Sequence, residues 1–142
     1  MMDGSDIIRE LKTFYREGVS YRDLDHHLTD ADVDRWRAVL GWSRFQIFEA
    51  IAECLAIGYN TSELSFEFCD KVANDLFNVV ITTSGSRPQL FWEVFLAFDA
   101  GEYFHGDNRD EDPGEIYTRP LVARIAERIH GASTTQSLGL DK

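Results

Sequence analysis

The stretch PQLFWEVFLAFDAG, residues 88–101, carries seven large apolar side chains: Leu90, Phe91, Trp92, Val94, Phe95, Leu96 and Phe98. At 3.6 residues per turn they surround most of a helical axis, which predicts a helix enclosed on several sides by other elements. Pro88 suits a first turn, where its missing N–H is no loss, and Gly101 supplies a stop. In such a central helix Phe95→Ala is expected to cost about 3–5 kcal/mol.

Working toward the N-terminus, residues 79–83 read Val-Val-Ile-Thr-Thr, which as a β-branched run is compatible with a short strand. The longer pattern favours a helix opened by Ser65, with Cys69, Val72, Ala73, Leu76, Val79 and Val80 on one face. Before it, Ser43 caps a helix carrying Ile47, Phe48, Ile51, Cys54 and Leu55, with Gly58 as its stop, and Glu49 and Glu53 fall opposite that stripe. Thr29 or Asp30 opens another with Val33, Trp36, Val39 and Leu40, ended by Gly41. A short segment spans Tyr21 to Leu28, and Ser5 caps a first helix bearing Ile7, Ile8, Leu11, Phe14 and Tyr15 up to Gly18. Toward the C-terminus, Asp112 before Pro113 is placed to cap a last helix with Leu121, Val122, Ile125 and Ile129, stopped by Gly131. The expected architecture is all-α: a single-domain, irregular bundle of six or seven helices around the helix near residues 88–100. The domain covers residues 1–131, and residues 132–142 read as a mobile tail.

Composition bounds the function. The chain has 142 residues, 44% of them hydrophobic, enough for one core. Asp and Glu number 25 against 14 Lys and Arg, a net charge of −11, which argues against a protein that coats nucleic acid. The segment Asp34-Arg35-Trp36-Arg37 is no DNA-reading element, because aspartates crowd it. Cys54 and Cys69 form no metal or redox motif, and their apolar helix faces make them core thiols. An acidic N-terminus without a long apolar run gives no export signal, and Val94–Phe98 is far too short to span a bilayer, so the expected location is the cytoplasm, away from membranes.

Charge is distributed unevenly. Residues 1–115 hold 23 acids and 10 bases, whereas residues 116–142 carry a net +2. One acidic patch comprises Asp23, Asp25, Asp30, Asp32 and Asp34; the other comprises Glu102, Asp107, Asp110, Glu111, Asp112 and Glu115. Solvated helix starts account for both, since Asp favours caps and first turns. The alternative is a recognition surface for a cationic partner. Tyr103 and Phe104 before the second patch, with Tyr117 after it, supply the aromatic anchors that binding surfaces favour.

Catalytic signals are sparse. Asn108, Asp110 and Asp112 alternate as calcium-loop ligands do, but Pro113 and Arg119 stand where that loop needs Gly and Glu; a looser oxygen site at Asp107, Asp110 and Asp112 is the remaining metal reading. Of His26, His27, His105 and His130, the candidate for general-base or metal chemistry is His105, which lies near Asp99, Glu102 and Asp107 in sequence. Ser84-Gly85-Ser86 lacks a nucleophile elbow, and no glycine-rich phosphate loop occurs.

The expectation is therefore a non-catalytic acidic interaction domain without cofactor or metal. Its contacts are Tyr103, Phe104, Asp107, Asp110, Glu111, Asp112 and Glu115, and its partner is a basic or neutral protein. An immunity or antagonist protein covering a toxin nuclease is one form of it. The alternatives are a small carboxylate/histidine metal-dependent enzyme built on His105 and a helical oligomerisation or accessory domain.

Overall fold

Local start signals set the helices of the computed structural model, which describes residues 3–83, 88–103 and 112–140. Helix α1 (Gly4–Phe14) begins at Asp3: Oδ1 accepts the amides of Ser5 and Asp6 at 2.9 and 3.3 Å, and Asp6 reaches back to the Asp3 amide at 2.8 Å. Ser5, expected as the cap, instead donates its hydroxyl to Asp3 at 2.6 Å. The helix ends four residues before Gly18, because Tyr15 leaves helical geometry and sends its ring into the core. Only Tyr21–Asp23 of the expected short segment is helical, as one 3₁₀ turn.

Thr29 caps α2 (Asp30–Leu40), and Gly41 closes it in the left-handed conformation at φ 70°. Ser43 caps α3 (Arg44–Asn60). Gly58 does not stop α3; a Cβ there would lie 2.4 Å from Leu64 Cδ1, so the glycine makes room for the chain that folds back over the helix. Ser65 caps α4 (Phe66–Thr82), which takes in residues 79–82 as helix and excludes the strand alternative. Val79 and Val80 are buried on its inner face.

Helix α5 (Gln89–Ala100) starts at Pro88, which has no capping side chain. Glu49 of α3 fills that role, accepting the Leu90 amide at 3.3 Å and the Phe91 amide. Glu49 is thus half-buried against α5, and burial pushes its carboxyl above the usual range. The expected central position of α5 holds for one face. Phe91, Val94, Ala97 and Phe98 are buried, while Trp92 and Phe95 are half-buried in a stack on Phe77 of α4, and Leu96 faces outward. The centre is shared with α3, which packs against α1, α2, α4, α5 and the last helix.

Asp112 does cap the C-terminal element, accepting the Gly114 amide at 2.9 Å. The chain first winds as a wide π turn (Gly114–Thr118) and then as α6 (Arg119–Leu140). Pro120 has no N–H for the carbonyl of Ile116 and would crowd it, and the wide turn falls at that position. Buried Thr118 ties the turn to α5 by donating to the Ala97 carbonyl at 2.7 Å. Helix α6 passes through Gly131, which is helical and meets no neighbour, so that glycine is no terminator. Of the expected apolar stripe Val122 and Ile125 are buried, with Ala126 beside them, whereas Leu121 faces out. The result is an all-α bundle of six helices among the described residues, none long and apolar enough to cross a membrane.

Candidate functional site

Three groups of acidic side chains emerge, and they differ in what balances their charge. The first acidic patch is largely neutralised. Arg44 of α3 binds Asp34 at 2.8 Å, Asp30 and the Thr83 hydroxyl, while Arg35 bridges Glu10 and Asp32. Burial raises the Asp32 carboxyl, but His26 at 2.8 Å, the Thr29 amide and Arg35 outweigh it and hold the group below the usual range. Arg16 takes Asp25. These pairs make the patch a set of helix starts tied to neighbouring elements.

A second group is buried. Asp75 of α4 accepts the hydroxyls of Tyr15 and Tyr21, both at 2.5 Å, and Tyr15 in turn accepts the Leu28 amide at 2.7 Å. His27 Nδ1 lies 3.6 Å from the same carboxylate. Burial and the adjoining carboxylate push the Tyr21 phenol up to about 12 and Tyr15 further. The arrangement pins the largely irregular segment 15–29 to α4. His26 and His27 thus face different carboxylates, Asp32 and Asp75.

Among the described residues, the third group has no cation. Asp70 of α4 meets Asp99 and Glu102 at the C-terminal end of α5, and the polar neighbour is Asn74, which donates to Glu102 at 3.2 Å. Asp70 Oδ1 is buried without a hydrogen-bond partner. Burial, followed by the hydrogen bond and charge of Glu102, pushes the Asp70 carboxyl up to about 8, so Asp70 keeps its proton at neutral pH. The negative end of the α5 dipole adds to the local potential. Tyr103, the next residue, is 58% exposed.

Of the sequence-derived contacts, Tyr103 adjoins this cationless group. Asp112 is exposed but committed to the Gly114 amide, and Glu115 pairs with Arg119 at 2.7 Å. Arg119 also lies 4.3 Å over the Tyr59 ring and donates to the Tyr59 carbonyl, so Glu115 contributes little free charge. Phe104, Asp107, Asp110, Glu111 and His105 lie outside the described residues. Asp70 was missed, although an aspartate next to Cys69 on a half-apolar helix is a visible anomaly. Burial raises both thiols, Cys54 to about 11 and Cys69 further, which leaves them unreactive as thiolates at neutral pH. Among the described residues no three His, Cys, Asp or Glu side chains converge as metal ligands.

Among the described residues, fold and surface define an acidic, all-α helical domain with one carboxylate group that no described cation balances. Compared with known family models, curated proteins and solved structures, the chain matches none.

Proposed function

We propose that the protein is a non-catalytic interaction domain whose acidic surface docks onto a basic protein. The reading is carried by the group Asp70, Asp99 and Glu102, three neighbouring carboxylates with no cation among the described residues, in a chain that pairs most of its described arginines internally. A lysine or arginine from a partner would displace the Asp70 proton and relieve the repulsion, which makes binding electrostatically selective. Exposed Tyr103 beside the group supplies apolar contact area. An immunity or antagonist role against a cationic toxin nuclease is the specific form proposed, because such a cleft offers several cations to one acidic face.

The test is affinity capture from the source cell with the wild-type chain and with the Asp99→Asn/Glu102→Gln double variant. One basic protein should be retained by the wild type, released by about 0.5 M salt and lost with the variant. Equal retention by both proteins would refute the reading.

A further inference from the structure

A groove of about 400 Å³ runs between α5 and α6, on a face of α5 different from that of the carboxylate group. Its apolar surface is Leu96 and Ala97 on α5 with Leu121 and Ile125 on α6. Leu96 is 45% exposed and Leu121 37%, so two leucines face outward across one channel. Its charged edge is cationic on the α6 side. Arg128 is fixed by a two-point contact with Glu93, whereas Arg124 forms no ion pair among the described residues. Lys12 and Arg22 are the other described cations without an ion pair, and neither lines this groove. Most described arginines are paired with acids, and Arg124, without an ion pair among the described residues and beside exposed leucines, gives the groove a sign opposite to that of the whole chain.

We propose that this groove is a second docking surface, one that takes an acidic amphipathic helix of a partner protein. From Leu121 to Arg128 the α6 wall extends about 10 Å, two turns, which matches apolar anchors at i, i+4 and i+7 of a docked helix. Leucines on that helix fill the space between Leu96 and Leu121, and an Asp or Glu on its flank meets Arg124. At physiological salt the rest of the protein's negative charge is screened beyond about 8 Å, so the local sign governs the contact. Binding here does not depend on Asp70, Asp99 or Glu102.

The probe is a fluorescein-labelled 16-residue helical peptide with leucines at i, i+4, i+7 and i+11 and glutamates on the flanks, titrated with the full chain and read by anisotropy. Saturable binding at about 1–100 µM is expected. Arg124→Glu and, separately, Leu121→Asp should each weaken it at least about tenfold, while the Asp99→Asn/Glu102→Gln protein binds as the wild type does. A peptide with lysines in place of the glutamates should bind the wild type more weakly and should gain affinity for Arg124→Glu. The proposal is overturned if the lysine peptide binds the wild type equally well, or if no saturation is reached at about 1 mM. It is also overturned if sedimentation shows a dimer that Leu121→Asp dissociates, since the occupant would then be a second copy.

Discussion

Replacing Asp70 by asparagine should leave stability nearly unchanged at pH 4 and raise it at pH 8. The carboxyl is pushed up to about 8 in the folded protein by burial first and by Glu102 second, against 3.8 for an unperturbed group. At low pH both folded and unfolded chains hold the proton, so the neutral amide mimics the neutral acid. As pH rises above about 4 the unfolded chain releases its proton while the folded one keeps it, and wild-type stability falls relative to the variant. The fall ends near pH 8, where the folded group also ionises. A rise of this size sets an upper limit at about 1.4 kcal/mol per pH unit. Asp70 keeps part of its side chain in water, and screening reduces the expected gain to about 1–3 kcal/mol. The asparagine amide also continues to donate toward Glu102, as the protonated acid does. Urea unfolding followed by far-ultraviolet dichroism at pH 4, 6, 8 and 9 measures the difference. A gap that does not change with pH, or a wild type more stable than the variant at pH 8, would refute the account of a protonated Asp70.

Phe98→Ala, at a fully buried ring 5.2 Å from Tyr59, should cost about 3–5 kcal/mol in urea, and Phe95→Ala, half-buried on Phe77, about 1–3 kcal/mol. Gly131→Ala should stabilise by about 0.5–1 kcal/mol, because α6 continues through an open helical position; a loss in thermal melting would place the helix end there after all. Gly101→Ala should destabilise by about 1–3 kcal/mol, since the new methyl would sit 2.1 Å from Thr118 Oγ1. Tyr15→Phe should cost about 1–3 kcal/mol by leaving the Leu28 amide without its acceptor and removing one of the two hydroxyls on Asp75, and hydrogen exchange at Leu28 should accelerate with it.

Helix starts were legible where the signal is local. Ser43 and Ser65 accept amides three residues on, and Thr29 stands at the N-cap of α2 with its amide and hydroxyl both donating to Asp32 three residues on. Stops were less so: Gly41 ends α2 in the left-handed conformation and Gly101 ends α5 while staying right-handed, whereas α3 and α6 run through Gly58 and Gly131. Gly58 is kept for its lack of a side chain against Leu64, a contact that chain spacing alone does not announce. The apolar run 89–100 correctly marked a buried helix, but counting apolar residues around an axis did not tell which would meet α4 and which would be left outside. The acidic patches were visible as composition. Their meaning was not, because Asp30 and Asp34 find Arg44 through space, Asp75 takes its hydroxyls from residues 54 and 60 positions earlier, and Asp70 meets Glu102 across two helices.

The carboxylate of Glu49 at the head of α5 bears on how the chain assembles. Its target amide lies 41 residues downstream, and Pro88 provides no substitute. A peptide excised as residues 88–101 would lack its initiating contact and should be largely unwound in water, however apolar its composition. During synthesis α3 emerges ahead of α5, so the template for that start is already in place when the later residues arrive. Substitutions at position 49 should consequently be felt as fraying at Leu90 and Phe91, a remote effect that a map of neighbours along the chain would assign to the wrong helix.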